Sequence, residues 1–451
     1  MCRCSLKNLK NTGLNPNPMT AMMKNILLLA GLFFSAVAGA AAELPKLMLP
    51  AGVGVNIHFT RGRERDLDMI AAAGFKFIRM DFSWNATEPK PGIYDWSAYD
   101  ELTKNLERRG LRAYYILDYS HPLYEAAVVA KDPISGQEKK GVASPQHPES
   151  IAAFARWAAA AARHFQGRHV VWEIWNEPNI SFWKPAPDVN QYTALALATA
   201  KAVRNADSQA TIFAPGSSEL PWPFLESFFK SGVLEFLDGV SVHPYRSPKQ
   251  PPETASKDFQ RLRDLIARHM PPTRNRPLPI ISGEWGYSTK VKGVSLETQA
   301  QFIVRQQLAN LMSGVPISIW YDWKNDGHDP QENEHNFGTV SQDLTPKPAY
   351  FAIKTLTREL AGFAIRNRLP TGGTNDFVLV LTNAIGGTKL AAWTLGESHA
   401  ITLPLPAAAA MDISVVDGGG QAGAVETKNG SLALSISGLP RYVTLGRAKL
   451  P

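Results

Sequence analysis

Two glutamates lie in similar aromatic-rich segments, 107 residues apart, each at the end of an apolar run. Glu177 lies in the segment WEIWNEPN (172–179), and Glu284 lies in ISGEWG (281–286). Cleavage of a glycosidic bond requires two such groups across a substrate: one carboxyl protonates the leaving oxygen, and the other attacks the anomeric carbon or activates water. The two segments therefore predict Glu177 and Glu284 as a catalytic pair.

A structural role is the alternative for each glutamate, as a helix-capping or ion-paired loop acid. Glu173 is a competing acid on the same apolar run as Glu177. Side chains alternate along a strand, so Glu173 is expected at least two residues deeper in the fold, where a core arginine is its expected partner.

Eight short apolar runs, rich in Val, Ile and aromatic residues, alternate with longer segments of helical period. The runs are 52–57, 75–81, 111–118, 169–175, 210–215, 237–243, 278–284 and 316–322. This alternation is typical of parallel strands joined by crossover helices, and eight strands predict an α/β fold of the (β/α)8 TIM-barrel type. Reactive groups in such barrels stand where strands end and loops begin, as both glutamates do.

Beyond residue 355 the composition changes, since ten of the eleven Trp lie between Trp84 and Trp323. Six strand-like runs separated by Gly-rich turns predict a small β-sandwich. The runs are 377–382, 389–395, 400–405, 412–416, 431–437 and 442–445. We predict a catalytic barrel over 43–360 and an accessory sandwich over 361–451, which braces the barrel or, alternatively, binds carbohydrate.

Residues 1–42 have the features of a signal peptide. Lys24 precedes the apolar run 26–37, ILLLAGLFFSAV, and the small residues 38–40 follow as a cleavage site. The alternative is an uncleaved anchor helix, for which the run is short. We expect this segment to be removed and the protein to be periplasmic or secreted, without stable insertion in a membrane.

Loss of that segment changes what the composition implies. The chain has 47 Lys plus Arg against 40 Asp plus Glu, a net charge of +7, but the segment has four basic residues and no acidic one, which leaves +3. Cys2 and Cys4 also lie there, which excludes a disulfide or a thiolate site from the mature chain. Basic residues do not cluster, so nucleic acid is not an expected partner.

The sequence NEP at 176–178, after the fourth predicted strand, and the isolated Glu284 ending the seventh resemble the retaining glycoside hydrolases of clan A. The resemblance covers residue 51 to about 360, including FKFIRMDFSWNATEPKPGIYDW (75–96) and TPKPAY (345–350). Within the clan the layout is most similar to family 39, with family 5 next. Some relatives of family 39 are exported hydrolases made alongside bacterial exopolysaccharides.

The resemblance implies roles for the matching residues. Glu177 would be the acid/base, and Glu284 the nucleophile of a double displacement. Asn176 would hydrogen-bond the sugar 2-hydroxyl. Arg79 would keep Glu284 ionised, because an adjacent cation lowers the pKa of a carboxyl, and Tyr245 would donate a hydrogen bond to the same carboxylate.

Histidines and tryptophans complete the implied substrate site. His121 and His243 match positions that line the sugar subsite, although a structural hydrogen-bonding role is the alternative for each. Trp320 would be the apolar platform under the sugar ring, with Trp323 as its rival, and Trp285 would contact substrate beside the nucleophile.

Two long polar loops, 131–144 and 324–338, are expected to form walls of the substrate groove. The second loop contains five possible metal ligands: His328, Asp329, Glu332, Glu334 and His335. Their spacing matches no recognised metal motif, so we expect no metal and no other cofactor.

These observations together predict a monomeric, exported enzyme that hydrolyses β-glycosidic bonds of an oligosaccharide or polysaccharide. Two alternatives stay open. The same barrel can act as a transglycosylase, which passes the glycosyl group to another sugar, or as a non-catalytic carbohydrate-binding protein.

Overall fold

The computed structural model describes residues 44–131, 136–405 and 413–447. The predicted signal peptide, 1–42, lies outside these ranges. Among the described residues, no helix is both long enough and apolar enough to cross a bilayer.

Eight parallel strands close into a barrel, which confirms the predicted fold class. The strands are β1 (Val53–Asn56), β2 (Phe77–Ser83), β3 (Arg112–Asp118), β4 (Val171–Ile174), β5 (Thr211–Ser218), β6 (Gly239–His243), β7 (Ile280–Trp285) and β8 (Ser318–Trp320). Each strand pairs with the next in the chain, and β1 pairs with β8 to complete the ring.

A helix follows each strand, so that eight helices surround the barrel. They are α1 (Glu64–Ala72), α2 (Ser97–Glu107), α3 (Pro148–His164), α4 (Val189–Ala206), α5 (Trp222–Lys230), α6 (Ala255–His269), α7 (Leu296–Met312) and α8 (Pro348–Glu359). A short helix, Trp84–Thr87, follows β2, and a hairpin of Ala127–Lys131 and Glu138–Val142 follows β3.

Side-chain alternation along the strands separates two cores. Inward-facing residues fill the barrel in a small apolar cluster: Phe77, Tyr114, Val171, Phe213, Ile281, Ile317 and Ile319. Outward-facing residues pack with the helices in the main core. Polar side chains on the inner face beyond the small cluster therefore reach the C-terminal mouth of the barrel.

Two antiparallel sheets follow α8. Their strands are β9 (Ala364–Arg368), β10 (Asp376–Thr382), β11 (Thr388–Thr394), β12 (His399–Pro404), β13 (Ser414–Val416), β14 (Ala422–Gly423), β15 (Glu426–Lys428), β16 (Ser431–Ile436) and β17 (Arg441–Thr444). The six-stranded sheet has the order β9-β10-β11-β17-β13-β14, and the three-stranded sheet has the order β12-β16-β15. One apolar cluster joins the two sheets, with side chains such as Val380 and Leu434. The sequence patterns missed β9, β14 and β15.

The six-stranded sheet also packs against the barrel. Trp393 and Tyr442 belong to the main core, and Trp393 donates its indole N–H to Glu253 at 2.7 Å. Arg305 on α7 donates two hydrogen bonds to the same carboxylate, at 2.7 and 2.9 Å. Glu253 lies on the connection between β6 and α6, so the indole hydrogen bond joins the C-terminal sheet to the loop that follows β6, and the buried ion pair joins that loop to α7.

Candidate active site

Glu177 and Glu284 lie close together at the mouth of the barrel. One carboxylate oxygen of each glutamate and a ring nitrogen of His243 all lie within 4.8 Å of one another. The glutamates are only 7% and 9% exposed. Two nearly buried carboxyl groups at the loop-bearing end of the barrel are therefore a candidate catalytic pair.

A β-bulge in β7 aims Glu284 at this site. β7 advances three residues, 282 to 285, where the paired strand β8 advances two, 318 to 320. Ile281 lies inside the barrel, so strict alternation would also turn residue 285 inward. The bulge shifts the alternation by one residue, which brings Glu284 to the inner face and turns Trp285 outward.

Arg79, on the inner face of β2, holds two buried carboxylates. Its Nε and Nη2 donate to Glu173 at 2.9 and 2.6 Å, and its Nη1 donates to Glu284 at 2.5 Å. Arg79 also donates hydrogen bonds to the amide oxygens of Asn56 and Asn176, at 3.3 and 2.9 Å. Glu173 thus has the core arginine expected from the sequence, and one permanent cation balances two acids.

The environment of Glu284 favours its ionised form. Burial raises the pKa of this carboxyl, but the neighbouring His243 and Arg79 and the hydrogen bonds from Tyr245 and Arg79 outweigh it and hold the pKa below its usual range. The Tyr245 hydroxyl donates to Glu284 Oε1 at 2.7 Å. Both carboxylate oxygens of Glu284 therefore have a donor.

His243 and the backbone position Glu177. The residue has a left-handed backbone, with φ of +48°, and its N–H donates to the Gly216 carbonyl on β5 at 2.8 Å. His243 Nδ1 lies 3.0 Å from Glu177 Oε1, while its Nε2 faces Arg79 Nη2 at 3.2 Å. The ring nitrogen Nδ1 of His243 is therefore the hydrogen-bonding partner of Glu177. The carboxyl is held by one oxygen.

The same three groups have the spacing of metal ligands, but their contacts suit acid/base chemistry better. The guanidinium of Arg79 already balances the charge of Glu284, and the hydrogen bond to Glu177 uses the Nδ1 of His243. In the loop after β8, His335 accepts from the Asp329 N–H, and Glu334 accepts from the Tyr321 hydroxyl. The five possible ligands of that loop form no metal-like group among the described residues.

The structure corrects the predictions for Trp285 and Trp320. Both side chains are completely buried in the main core between strands and helices. Trp320 points outward because Ile317 and Ile319 occupy the inner face of β8. Trp285 points outward because of the bulge in β7. Neither ring can lie under a sugar at the barrel mouth, and the rival Trp323 is also buried.

His121 lies outside the network of the catalytic pair. Its Nε2 faces the Glu88 carbonyl at 2.9 Å, and its Nδ1 accepts from the Leu123 N–H at 3.0 Å. The ring is 2% exposed and packs against Trp84 and Tyr124. These contacts correspond to the structural alternative for His121, because both ring nitrogens are already used by the backbone.

The structure adds aromatic and acidic residues that the sequence reading missed. Tyr321, directly after β8, is half-buried, and its ring lies 5.6 Å from that of His58. Tyr119 accepts a hydrogen bond from Asn176 Nδ2 at 2.9 Å. Asp81 and Asp118 follow Arg79 and Tyr114 on the inner faces of β2 and β3, where burial raises the pKa of both carboxyls. Side chains alternate along a strand, so an inward-facing Arg79 on β2 could have indicated that Asp81 also faces inward, and Tyr114 on β3 could have indicated the same for Asp118.

Comparisons with known proteins agree with this architecture. The family model described as cellulase (glycosyl hydrolase family 5) matches residues 51–327. A β-xylosidase of Geobacillus stearothermophilus is 26% identical over 266 residues, which are 51% of this chain and 51% of the relative. The chain therefore spans about half the length of the curated relatives it matches.

Solved structures of family 39 share the fold. A family 39 glycoside hydrolase from Bacteroides cellulosilyticus superposes with a TM-score of 0.74 at 23% identity, covering 90% of this chain and 83% of the other. A family 39 β-xylosidase from Caulobacter crescentus superposes with a TM-score of 0.64 at 17% identity, covering 90% and 98%. The chain therefore belongs to the family described as cellulase (glycosyl hydrolase family 5), a family of clan A glycoside hydrolases, and within that clan it is most like family 39.

Proposed function

We propose that the protein is a retaining glycosidase that cleaves β-glycosidic bonds of an oligosaccharide or polysaccharide by double displacement. The separation of Glu177 and Glu284, whose carboxylate oxygens approach within 4.8 Å, is the observation that carries the proposal. Retaining enzymes hold the two carboxyls about 5–5.5 Å apart, whereas inverting enzymes separate them by about 6.5–9.5 Å to admit water. The short separation supports direct attack on the sugar.

Glu284 is the nucleophile in this proposal. Its lowered pKa keeps it ionised, and the donors on its two oxygens, Arg79 and Tyr245, fix its orientation. One oxygen of Glu284 bonds to the anomeric carbon while the bond to the leaving oxygen breaks. The product of this step is a covalent glycosyl-enzyme.

Glu177 is the acid and then the base. It gives a proton to the leaving oxygen in the first step and takes one from the attacking water in the second, which breaks the glycosyl bond to Glu284. His243 engages Oε1 of Glu177, which leaves the other carboxyl oxygen for the scissile bond.

Two further residues position the sugar. The Asn176 amide is oriented by Arg79 on its oxygen and by Tyr119 on one of its N–H groups, so its second N–H is free for the sugar 2-hydroxyl. Tyr321 takes the place predicted for Trp320, because it is half-buried and alternation after the inward-facing Ile319 turns it inward. An aromatic face of this kind packs against the apolar face of a sugar ring.

The first test is hydrolysis of 4-nitrophenyl β-glycosides of xylose, glucose and mannose, beginning with xylose because the curated relatives are β-xylosidases. Glu177→Gln and Glu284→Gln should each lower kcat/KM by a factor on the order of 10⁴, with circular dichroism unchanged. Glu219→Gln, an exposed acid at the same end of the barrel, is the matched control. Full activity in either catalytic variant would remove the assignment.

Azide rescue separates the two roles. With a 2,4-dinitrophenyl glycoside, whose leaving group needs no proton, Glu177→Ala should form the β-glycosyl azide, because azide attacks the glycosyl-enzyme. Glu284→Gly should form the α-glycosyl azide, because azide enters from the side of the missing nucleophile. The opposite products would exchange the roles of the two glutamates.

Product analysis decides between this function and its alternatives. Products longer than the substrate, detected by NMR, would favour a transglycosylase. Retained sugar binding without release from any glycoside would favour a carbohydrate-binding protein. A single β-anomeric product that forms before mutarotation is the outcome expected of a retaining hydrolase.

We also propose that the protein is exported as a monomer after removal of its N-terminal segment. The motif at residues 24–40 supports export. N-terminal sequencing of the periplasmic and secreted fractions should find a chain that begins soon after residue 40. An intact N-terminus in the membrane fraction would indicate an anchor instead.

A further inference from the structure

The segment 244–253, which connects β6 to α6, begins beside the nucleophile and ends under the C-terminal sheet. Near its start, the Tyr245 hydroxyl donates to Glu284 Oε1 at 2.7 Å. At its end, the buried carboxylate of Glu253 accepts hydrogen bonds from Arg305 on α7 and from the indole N–H of Trp393 on β11. The active site and the C-terminal sheet therefore hold opposite ends of one short segment.

This segment is stiff. Its sequence is PYRSPKQPPE, in which four of the ten residues are proline. The proline ring fixes φ at about −65° and also restricts the residue before it. A displacement of Glu253 is therefore passed along the backbone toward Tyr245 more than it is absorbed by rotation within the segment.

A contact in the middle of the segment ties it to the strand that bears the nucleophile. The Tyr287 hydroxyl donates to the Gln250 carbonyl at 2.8 Å, and Tyr287 lies three residues after Glu284. The Tyr287 ring packs against Phe302 on α7, with centroids 4.6 Å apart, and Arg305 follows Phe302 by three residues on the same helix. Helix α7 therefore supports both the nucleophile and the segment that carries its donor.

The C-terminal sheet contacts both members of the buried ion pair on which the segment ends. Trp393, which binds Glu253, is completely buried and stacks on Phe377, with centroids 4.9 Å apart and 7° between the ring planes. Arg305 donates to the Gly438 carbonyl at 3.4 Å, in the turn before β17. Buried charges depend on every one of their hydrogen bonds, so loss of a donor from the sheet changes the geometry of the pair.

The other ion pair of the segment is a weaker anchor. Arg246 donates to Asp258 on α6, but the Asp258 side chain is 37% exposed. Ion pairs in contact with water contribute little, because water competes for both charges. The buried carboxylate of Glu253 is therefore the anchor that fixes the position of the segment.

We propose that Trp393 and Glu253 are positioning residues of the active site, which act through the segment 244–253 to hold the Tyr245 hydroxyl against the nucleophile. The inference rests on the proposed glycosidase function. It makes the C-terminal sheet a part of the catalytic unit, whose effect on the reaction is separate from its effect on stability.

The test is a double-mutant cycle of Trp393→Phe and Tyr245→Phe, assayed on an aryl β-glycoside well below the melting temperature of every variant. Trp393→Phe keeps a buried ring but loses the donor to Glu253, so kcat/KM should fall about ten-fold, mostly through kcat. In the Tyr245→Phe background the same substitution should have little further effect, because no hydroxyl remains to be positioned. Equal losses in both backgrounds would overturn the inference.

Tyr442→Phe is the matched control. Tyr442 lies on β17, which pairs with β11, and its buried hydroxyl has no hydrogen-bond partner in the part of the chain that the structure describes. The variant also removes one polar group from the same sheet, but it leaves Glu253 and its donors in place. It should keep the wild-type kcat/KM. A loss equal to that of Trp393→Phe would refute the specific role of Trp393.

The pH profile separates positioning from a loss of folded protein. Burial raises the pKa of Glu284, but His243, Arg79 and the hydrogen bonds to its two oxygens hold the pKa below its usual range. Weaker donation by Tyr245 raises this pKa, so the acidic limb of kcat/KM should move to higher pH in Trp393→Phe, as it should in Tyr245→Phe. Lower activity with an unmoved limb would count against the inference. Both variants leave unchanged the other titratable groups around Glu284: Arg79 and Asp81 on β2, Glu177 after β4, His243 on β6, and Tyr321 and Glu334 after β8.

A protein without glycosidase activity would still allow a decision. Cleavage of no glycoside by wild type would overturn the proposed function. Hydrogen–deuterium exchange would then test the coupling alone, because the amides of Tyr245 and Gln250 are hydrogen-bonded to the carbonyls of residues 243 and 247. Both amides should exchange several-fold faster in Trp393→Phe than in wild type or Tyr442→Phe. Unchanged exchange would overturn the inference.

Discussion

Two groups of buried carboxyls share the mouth of this barrel, and they differ in their hydrogen-bond partners and in the direction of their pKa shifts. On the side of β4 and β7, Glu173 and Glu284 each accept hydrogen bonds from Arg79, and Glu284 has a pKa below its usual range. On the side of β3 and β8, burial raises the pKa of Asp118 and Asp322 well above the usual range. Neither oxygen of Asp118 has an N–H or hydroxyl donor among the described residues, and its neighbour is another acid, Asp81.

The difference separates carboxyls whose charge a built-in cation compensates from buried carboxyls that have no such cation hydrogen-bonded to them within the described ranges. A nucleophile must be ionised before substrate arrives, so its compensating cation has to be built into the protein. A buried carboxyl without a compensating cation favours its neutral form instead. The first group therefore makes the fold depend on Arg79, and the second is buried in surroundings that favour its neutral state.

The largest expected effect comes from removing the shared cation. Arg79→Met leaves Glu173 and Glu284 buried without their partner, which should lower the free energy of unfolding by about 3–5 kcal/mol. The activity should disappear together with the ionised nucleophile. Urea denaturation and kcat/KM on an aryl glycoside measure the two effects.

Arg79→Lys is the matched control for that variant. It keeps the positive charge but loses the fork that reaches two acids, so it should recover part of the stability and little of the activity. A stable and active Arg79→Met protein would contradict the view that the paired side depends on this cation.

The neighbours Trp320 and Tyr321 test the division between core and site. Trp320→Ala should lower the free energy of unfolding by about 3–5 kcal/mol, because it opens a cavity in the main core, while the remaining folded protein keeps its kcat/KM. Tyr321→Ala should have the reverse pattern, with a smaller loss of stability and a clear loss of kcat/KM. Thermal unfolding and initial rates distinguish the two, and the reverse assignment would restore Trp320 as the sugar platform.

Glu253 is a buried carboxylate that is ion-paired with Arg305 and lies away from the catalytic residues. Trp393→Phe removes one of its donors but keeps the two hydrogen bonds from Arg305. The free energy of unfolding should fall by about 1.5–3 kcal/mol, since the lost bond has a charged acceptor. An unchanged urea midpoint would mean that pairing by Arg305 alone satisfies this acid.

The smallest expected effect is a change in the pH dependence of stability. Asp118 has a raised pKa in the folded protein, where burial and Asp81 favour its neutral form over the opposing charge of Arg79, and Glu173 adds to the increase. The folded state therefore holds this proton more tightly than the unfolded state, and wild type loses stability as pH rises above the usual carboxyl pKa. Asp118→Asn should remove this loss.

The measurement is the melting temperature of both proteins between pH 4 and pH 8. The advantage of Asp118→Asn over wild type should grow with pH. Glu284 makes the opposite contribution: its lowered pKa gives stability above the usual carboxyl pKa that is lost as pH falls. A constant difference between the two proteins would show that Asp118 does not titrate in this range.

Local sequence patterns predicted the barrel because apolar strands and amphipathic helices each have a period that is visible in the chain. They also placed Glu177, Glu284 and Arg79 at strand ends, where the structure brings them together. The bulge in β7 was invisible, because it depends on the register with β8, and its one-residue shift is the reason that the prediction for Trp285 failed.

The neighbourhood of His58 and Asp322 was missed for a related reason. His58 and Asp322 come from opposite ends of the barrel sequence and become neighbours only when β1 pairs with β8. His58 has no recognisable motif around it, and Asp322 ends the apolar run 316–322. Closure of the ring, rather than any local pattern, creates that part of the site.

The buried pair of Glu253 and Arg305 limits how this protein can be recombined. Glu253 lies eight residues after Tyr245 on the connection between β6 and α6, and its other partner, Trp393, comes from the C-terminal sheet. A chimera that takes its C-terminal sheet from a relative without a matching indole would leave this carboxylate short of one donor. Exchange of modules at residue 360 therefore requires that position 393 be transferred together with the loop that it supports.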